Sequence, residues 1–444
     1  MIENRDALAR SPRHTLALDC IAAGVEAAHP ERVVREAVTL DGDRLRVAGS
    51  ERDLSGVDRL LVAGGGNAAG TAAAALEAVL GDRIDGGAVV TDAPAPTDRV
   101  DVLAGDHPVP TERNVTATSD VLDVARSAGP DDLVLAVVTG GGSALLAAPA
   151  EGVGLAELRA TTEALLESGA PIDEVNAVRK RLSAVKGGGL AGAAAPAPVL
   201  GLVFSDVVGD DPGTVASGPT APDRTTYADA LAVLERHGTS VPDPVREHLE
   251  PGRRDERAGT PTTLREGVTN HVLASNATAL EAAAGVAADR GYTPLVLSTR
   301  TRGEAREAAL PLVSVAEECA ASGRPVEPPA VLLAGGEVTV TGAGGSGKGG
   351  PNAEFALSGA LELAGRDHAP IVVASVDTDG IDGNSGAAGG LVDGGTVGDS
   401  DVARAALDDH DASTYLAERD ATVVTGPTGT NVNDLRAFVV GANP

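Results

Sequence analysis

The stretch VLGLVFSDVVGDDPGTVASGPTAPD, residues 199–223, decides the fold that we expect for this chain. Its first six residues are apolar and predict a buried strand, which ends in Ser205, Asp206 and a turn rich in Gly, Asp and Pro. In an open α/β sheet, ligands bind beyond the carboxyl ends of the strands. Three nearby carboxylates, Asp206, Asp210 and Asp211, raise one another's pKa unless a cation neutralises them. The stretch therefore indicates a metal ion or a Lys/Arg partner, with a solvated acidic turn as the alternative.

Two earlier segments repeat the order strand, glycine turn and helix. In residues 59–80 the strand RLLVA is followed by GGGNAAG and a helix of mainly Ala and Leu. The turn matches the dinucleotide-binding pattern GxGxxA, and Asp92 ends the following strand, so binding of NAD is one interpretation. The other is a tight turn whose glycines only permit close packing.

The second of these segments favours phosphate binding. Residues 132–138, DLVLAVV, predict a strand that runs directly into a glycine turn and a helix. Glycines at such a turn let backbone N–H groups converge, and the helix N-terminus adds about half a positive charge. The turn lacks the GK[ST] ending of a Walker loop, so it predicts a phosphate cradle of another type. The cradle residues are Gly140, Gly141, Gly142 and Ser143.

Residues 176–190, NAVRKRLSAVKGGGL, concentrate positive charge in a chain with only three lysines. A helix here places Arg179 and Lys186 on one face, and Gly187 and Gly188 let the backbone approach a ligand closely. We expect these groups to neutralise phosphate charge. The alternative is a basic helix that offsets the surrounding acid.

The polar residues 238–269, with four prolines, indicate a connection between two domains. The sequence therefore predicts an N-terminal domain at 1–237 and a C-terminal domain at 270–444, in which strands and helices alternate again. Within the second domain, residues 342–352, GAGGSGKGGPN, contain the third lysine, Lys348. We expect this glycine loop to close over a ligand rather than to serve as a linker.

The formal net charge is −29 over 444 residues, which argues against nucleic acid and anionic membranes as partners. We interpret this acidity as adaptation to high salt. Cys20 and Cys319 provide neither a metal-binding spacing nor a disulfide framework, which fits a reducing cytoplasm. The N-terminus lacks the pattern of an export signal, and there is no run of about 18 apolar residues, so we expect neither export nor membrane insertion.

The acidity gives a testable prediction about salt. In molar salt the screening length falls to about 3 Å, so repulsion among acidic groups is largely removed. We therefore expect the thermal midpoint of unfolding, followed by circular dichroism, to fall steadily as KCl is lowered from molar concentration. A midpoint that stays constant across the series contradicts the interpretation.

Eight motifs follow one another along nearly the whole chain: GDHPVP, TGGGSALL, NAVRKRLSAVKGGGLA, SDVVGDDPGTVASGPTAPD, GGEVTV, GGPNAEFAL, DTDGIDG and TGPTGTNVNDL. In this order they resemble the glycerate 2-kinase family with its C-terminal MOFRL domain. The resemblance implies an α/β protein with a Rossmann-like, doubly wound N-terminal domain, a smaller mixed α/β domain and an active site in the cleft between them. It also implies transfer of the γ-phosphoryl group of ATP, with Mg²⁺, to the 2-hydroxyl group of D-glycerate, which gives 2-phosphoglycerate.

The residues and the resemblance together indicate a phosphoryl-transfer site, because that chemistry needs positioning and charge neutralisation. We expect Asp206 to act as the base for the hydroxyl group or, with Asp210 and Asp211, as a ligand of Mg²⁺. The expected catalytic cations are Lys186 and Arg179. Further contacts are expected with ATP from Asn67, Lys348 and Asn352, and with the substrate from Asp379, Asp382, His107, Glu337 and Asn433.

Two positions depart from the family pattern. The turn after the first strand usually carries a lysine, in GKAA, where this chain has Asn67. The segment usually written GGRNxE lacks its arginine, because Pro351 precedes Asn352 here. Both changes remove cations where phosphates are expected.

Two other functions stay open. An NAD-dependent hydroxypyruvate reductase is supported by GxGxxA and Asp92, but a His, Arg and carboxylate set for hydride transfer is not evident in the sequence. A two-lobed ligand-binding protein would require export. The kinase interpretation predicts a cytoplasmic enzyme that acts on a small molecule, and it leaves a homodimer open.

Overall fold

Strands rich in Val, Leu and Ala form two six-stranded sheets around which the chain folds. A computed structural model describes residues 1–254, 256–342, 347–365 and 371–442. The chain divides into two units. The C-terminal unit consists of Met1–His29, Asp206–Gly209 and Ala274–Pro444, and the N-terminal unit consists of Pro30–Ser205 and Asp210–Leu273.

The described helices are α1 (Arg5–Leu8), α2 (Pro12–Ala27), α3 (Pro30–Ala37), α4 (Ala69–Leu80), α5 (Glu112–Ser127), α6 (Gly142–Leu145), α7 (Leu155–Glu167), α8 (Ile172–Arg181), α9 (Gly189–Ala193), α10 (Tyr227–Arg236), α11 (Asp243–Arg253), α12 (Asn276–Asp289), α13 (Ala305–Ser322), α14 (Pro351–Leu363), α15 (Ser400–Asp408) and α16 (Ala412–Ala417). Two short 3₁₀ turns lie at Gly81–Arg83 and Val215–Ser217.

The described strands are β1 (Val38–Asp41), β2 (Arg44–Val47), β3 (Ser50–Asp53), β4 (Leu60–Gly65), β5 (Gly86–Thr91), β6 (Val100–Ala104), β7 (Leu133–Thr139), β8 (Val199–Phe204), β9 (Val268–Ala274), β10 (Thr293–Thr301), β11 (Ala330–Gly336), β12 (Ile371–Asp377), β13 (Gly389–Asp393), β14 (Thr422–Val423) and β15 (Asp434–Val440). Strands β1, β2 and β3 form a small antiparallel sheet of their own.

The large sheet of the N-terminal unit has the order β6-β5-β4-β7-β8-β9, and the neighbours from β6 to β8 are parallel. Strands β4, β7 and β8 are buried along their whole length, as apolar runs predict for a sheet that is covered on both faces. The chain adds strands outward in one direction after β4 and in the other after β7. The topological switch point, where such sheets bind ligands, therefore lies between β4 and β7.

The sheet of the C-terminal unit has the order β10-β11-β15-β12-β13-β14. Only the pair β10 and β11 is parallel, and the remaining described pairs are antiparallel. Helices α2 and α12 pack on each other and contact β15, while α13 and α14 pack on each other. Both sheets confirm the expected α/β class, with a doubly wound unit and a mixed unit.

The units differ from the predicted domains 1–237 and 270–444. Helix α2 lies in the C-terminal unit because its buried face packs on α12 and β15. An amphipathic pattern shows that a helix has a buried face, but it does not show which elements cover that face. The predicted linker, 238–269, contains α11, whose Val245 and Leu249 are buried in a core shared with α10. The prolines there start and interrupt a packed helix rather than mark a flexible connection.

Within the described ranges, no helix combines the length and apolar character that a bilayer crossing requires. Residues 343–346 of the glycine loop that we expect to close over a ligand lie outside the described residues.

Candidate functional site

The turn after β4 is closed by its own hydrogen bonds. The N–H groups of Gly66, Asn67 and Ala68 donate to acceptors in the neighbouring strands and turn at 2.8–3.2 Å. A Cβ atom on Gly66 would lie 2.1 Å from Thr139 Oγ1, and one on Gly64 would overlap β7 as well. The glycines of GxGxxA thus permit close packing of β4 on β7, and the donors that a pyrophosphate group would need are already used.

The turn after β7 keeps its backbone donors open. In the described ranges, the N–H groups of Gly141, Gly142 and Ser143 donate to no protein acceptor. Gly141 has φ of +73°, and a Cβ atom there would lie 1.4 Å from Asn67 Oδ1, so the asparagine side chain covers this turn. Asn67 Oδ1 is buried and accepts no hydrogen bond from the described chain. The turn and Asn67 thus bring polar groups without partners in the described chain together at the switch point, as phosphate binding requires.

A segment in an unfavourable backbone conformation supports this turn. Ala216, Ser217 and Gly218 have φ of +51°, +61° and +69°, in the left-handed region that costs energy for residues with a side chain. Ser217 Oγ donates to Asn176 Oδ1 at 3.0 Å. Because its one proton is used there, it accepts from Ser143 Oγ at 2.8 Å. Such strain is concentrated at functional sites in many proteins.

Lys186 holds the same turn from inside the protein. Its side chain is 2% exposed, and Nζ donates to the carbonyl oxygens of Ser143 at 2.8 Å and Leu146 at 2.9 Å. Burial, together with the nearby charge of Arg179, lowers the pKa of Lys186 to about 7. A neutral amine has two N–H bonds, which match the two carbonyl acceptors. In the structure Lys186 holds the turn after β7, and its expected role as a catalytic cation stays a prediction.

Gly187 and Gly188 hold the strained segment rather than a ligand. Their N–H groups donate to Ser217 O at 3.0 Å and Gly218 O at 2.7 Å. This corrects the expected second backbone cradle, because its donors are used inside the protein. Arg179 is half-buried, and the loss of hydration lowers its pKa.

The three aspartates of residues 199–223 are divided between the two units. Asp206 belongs to the C-terminal unit, and Asp210 and Asp211 belong to the N-terminal unit. Asp211 Oδ1 accepts the N–H of Gly213 at 2.9 Å and so stabilises a turn. Among the described residues, no group of three or more His, Cys, Asp or Glu side chains suits a metal ion. Binding of a metal ion by the three aspartates stays a prediction.

Glu337 follows β11 and lies among other carboxylates of the C-terminal unit. Burial of the Glu337 carboxyl raises its pKa to about 7, and the negative charges of Asp434 and Asp206 act in the same direction. The positive charge of Arg302 partly opposes this increase. The Glu337 N–H donates to Thr301 O at 2.9 Å, which fixes its backbone to the end of β10. A group with this pKa can hold or release a proton near neutral pH.

Asp434 and Asn352 form a buried polar network beside Glu337. Asn352 Nδ2 donates to Asp434 Oδ1 at 2.6 Å, and Asn352 Oδ1 accepts from Ser375 Oγ at 2.6 Å. Arg436 is fully buried, pairs with Asp434 and lies over the ring of Phe355 at 4.6 Å. The side chain of Asn352 orients Asp434, and its expected contact with ATP stays a prediction.

Asp382 caps helix α14. Its two carboxylate oxygens accept the N–H groups of Asn352 and Ala353, each at 2.8 Å. Burial raises its pKa to about 7 in spite of these hydrogen bonds. The structure gives Asp382 a capping role, because its oxygens accept hydrogen bonds from the first turn of the helix, and its expected contact with the substrate stays a prediction.

The capping role gives a prediction. We expect Asp382→Ala to lower the free energy of unfolding by about 1–2 kcal/mol, the usual cost of losing a helix cap, and, if capping is its only role, to leave KM for D-glycerate unchanged. Denaturant unfolding and steady-state kinetics measure the two effects. Asp289→Ala, at the exposed end of α12, is the control and should change neither. A large increase in KM would support its contact with the substrate.

The other expected substrate residues lie at several places. Asp379 follows β12, and its Oδ1 accepts the Ile381 N–H at 2.7 Å. Asn433 precedes β15 with φ of +66°, and His107 is exposed in the N-terminal unit. Lys348 is exposed, and its backbone N–H donates to Asp411 Oδ1 at 2.8 Å. The roles of these residues toward the substrate and ATP stay predictions.

Sequence reasoning missed several polar residues of the C-terminal unit. Asp377 ends β12, and burial together with Asp379 and Asp434 raises its pKa well above the usual range. The sequence did contain a sign of this network, since the apolar strand β15 carries two charged residues, Asp434 and Arg436. Charged side chains are rarely buried unless they are paired.

Two family models match the chain: a domain of unknown function, DUF4147, over residues 16–250, and the MOFRL family over residues 330–434. The chain is 39% identical over 434 residues to the glycerate 2-kinase of Pyrococcus horikoshii, covering 96% of this chain and 97% of that protein. It is 44% identical over 390 residues to a putative hydroxypyruvate reductase of Agrobacterium vitis, with coverage of 86% and 87%.

A solved structure is similar over almost the whole chain. The crystal structure of glycerate kinase from Thermotoga maritima superposes with a TM-score of 0.83 at 37% identity, covering 96% of this chain and 98% of that one. The similarity therefore includes both units and is not limited to one sheet.

Proposed function

Because the chain belongs to the glycerate 2-kinase family with its MOFRL domain, we propose that it transfers the γ-phosphoryl group of ATP to the 2-hydroxyl group of D-glycerate. The observation that supports this proposal best is the turn after β7. Its three open N–H groups lie at the topological switch point of a parallel sheet, where phosphate groups bind.

The donor side of the reaction uses backbone groups in place of the missing family cations. Gly141, Gly142 and Ser143 offer N–H donors to phosphate oxygens, and Lys186 holds the carbonyl groups of the same turn. Donors fixed in advance stabilise the charge that develops on the transferred group. We propose that Asn67 turns its amide toward this turn, where the family usually has a lysine.

Mg²⁺ is part of the proposal because phosphoryl transfer needs charge neutralisation on the nucleotide. The ion usually takes one or two protein carboxylates, completed by phosphate oxygens and water. Asp210 and Asp211 fit that requirement, since Asp211 Oδ1 accepts a hydrogen bond in its turn and the other carboxylate oxygens accept none from the described residues. Bound there, the ion would neutralise phosphate charge.

On the acceptor side, we propose that Asp206 takes the proton of the 2-hydroxyl group. Its position directly after β8 is the carboxyl end of a parallel strand. Glu337, whose pKa of about 7 is raised in part by the charge of Asp206, would contact the same substrate. The cytoplasmic location, the homodimer and a high-salt origin stay predictions.

The reductase interpretation is less well supported. The observation in its favour is the similarity of the chain to a protein named putative hydroxypyruvate reductase. The N–H groups of the GxGxxA turn are used in hydrogen bonds within the protein, however, and a dinucleotide pyrophosphate would need them.

One assay separates these functions. The enzyme is incubated with D-glycerate and Mg-ATP while ADP release is measured, and in parallel with hydroxypyruvate and NADH while NADH absorbance is followed. We expect ADP release that depends on D-glycerate and no oxidation of NADH. Oxidation of NADH without release of ADP would overturn the proposal.

A further inference from the structure

The end of β10 is bent so that two arginines lie at the carboxylate-rich end of the C-terminal unit. The pairing of β10 with β11 shifts register between Val296 and Ser298 and again between Ser298 and Thr301. Such bulges redirect side chains and are frequent next to active sites. Arg300 and Arg302 flank the last residue of this strand.

A glycine fixes this bend against the next strand. Gly336 has φ of +121°, and a Cβ atom there would lie 2.3 Å from Thr301 O and 3.0 Å from the carbonyl carbon of Arg300. The adjacent Glu337 N–H donates to Thr301 O at 2.9 Å. The close approach of Gly336 and the hydrogen bond from Glu337 therefore fix the backbone at Thr301, between the two arginines.

One arginine lies next to the segment that carries Asp206, and the other lies near Glu337. Arg300 Nη1 lies 2.9 Å from the position that a Cβ atom on Gly209 would take, beside the segment that carries Asp206. Arg302 is close enough to Glu337 for its charge to lower the pKa of that carboxyl. The arginines thus offset negative charge that would repel an anionic substrate.

These two guanidinium groups are also available to a ligand. Other arginines of the same unit, such as Arg290 and Arg306, pair with Asp19 and Asp408. In the part of the chain that the structure describes, Arg300 and Arg302 form no ion pair, and both are exposed.

We propose that Arg300 and Arg302 bind the carboxylate group of the hydroxy-acid substrate and select 2-hydroxy acids over neutral alcohols. The inference depends on the proposed function, because it takes Asp206 as the base. In a 2-hydroxy acid the carboxylate carbon is bonded to the carbon that carries the reacting hydroxyl group. A group that binds the carboxylate must therefore lie near the base, and Arg300 contacts the segment 206–209 while Arg302 lies near Glu337, on which the charge of Asp206 also acts. Guanidinium groups also match a carboxylate with two parallel hydrogen bonds.

The test uses Arg300→Ala and Arg302→Ala in the full chain. Loss of one charged hydrogen-bonding partner should raise KM for D-glycerate roughly tenfold to a hundredfold and leave KM for ATP unchanged. Arg300→Lys and Arg302→Lys should recover part of the loss, because charge remains while the paired geometry does not. Arg404→Ala, an exposed arginine on α15, is the control and should behave like the wild type.

Calorimetric titration of D-glycerate, and of glycolate as a carboxylate without the terminal alcohol, separates this inference from the proposed function. Wild-type protein should bind both, and the alanine variants should bind them at least about tenfold more weakly. If the wild type releases no ADP, the kinase proposal fails while the titration still tests the carboxylate site. An increase in KM for ATP alone, or equal binding by wild type and variants, would overturn the inference.

Discussion

Asp206→Asn should lower kcat by about 10² to 10⁴, the usual effect of losing a general base, with D-glycerate and saturating Mg-ATP. The amide keeps the size of the side chain and cannot accept the hydroxyl proton. Because the substitution changes neither the length nor the shape of the side chain, we expect the thermal midpoint to stay close to that of the wild type. Steady-state release of ADP and circular dichroism measure the two quantities.

The same variant distinguishes a base from a metal ligand. If Asp206 binds Mg²⁺ instead, raising the Mg²⁺ concentration should restore much of the activity by mass action. Asp289→Asn, an exposed carboxylate at the end of α12, is the matched control. An effect smaller than about tenfold at every Mg²⁺ concentration, well below the range for a base, would remove Asp206 from the site.

Lys186→Ala should lower kcat/KM by a factor that corresponds to about 3 kcal/mol, similar to the loss of a fixed donor at a reacting group. The carbonyl groups of Ser143 and Leu146 would lose their donor inside the protein, and the turn with the open N–H groups would shift. We expect the effect mainly in kcat and in KM for ATP. A fall in thermal stability should accompany it, because buried carbonyl groups stay unpaired.

The pH dependence of stability gives a second measurement on this variant. The pKa of Lys186 is lower in the folded protein than in the unfolded chain, so the unfolded chain binds more protons between about pH 7 and pH 10. Across that interval the free energy of unfolding of the wild type should rise relative to that of Lys186→Ala. Parallel curves would show that Lys186 is charged in the folded state.

Lys348→Ala is the comparison for the catalytic effect, because Lys348 is exposed and its backbone rather than its side chain donates to Asp411. If Lys348→Ala loses activity and Lys186→Ala keeps it, the glycine loop supplies the catalytic cation. Asn67→Lys, which restores the usual family residue beside Gly141, should be tolerated and should partly rescue Lys186→Ala.

The sequence predicted the sheets better than it predicted which elements pack together. Apolar runs such as β8 and glycine turns such as Gly140–Ser143 carry local signals of strand and turn, and these were confirmed. Helix α2 has an apolar face, but its sequence does not show which elements that face packs against. Its place in the C-terminal unit therefore could not be predicted. Likewise, the prolines in 238–269 made this segment look like a linker. The burial of Val245 and Leu249 could not be predicted, because it depends on residues that are distant in sequence.

The candidate site shows the same limit at the level of single groups. Gly187 and Gly188 look like Gly141 and Gly142 in sequence, yet within the described part of the chain only the second pair has N–H groups that donate to no protein acceptor. The N–H groups of Gly187 and Gly188 are used because the carbonyl groups of Ser217 and Gly218, about thirty residues further along the chain, accept them. Likewise, Asp382 looks in the sequence like a residue that binds the substrate, and its hydrogen bonds to the start of α14 are visible only in the structure.

Identification of the product tests the central claim most directly. Protein is incubated with D-glycerate and Mg-ATP, and the mixture is followed by ³¹P nuclear magnetic resonance against authentic 2-phosphoglycerate and 3-phosphoglycerate. The account predicts one new phosphomonoester, 2-phosphoglycerate, which accumulates together with ADP. Formation of 3-phosphoglycerate, or no phosphomonoester while the folded protein is present, would contradict it.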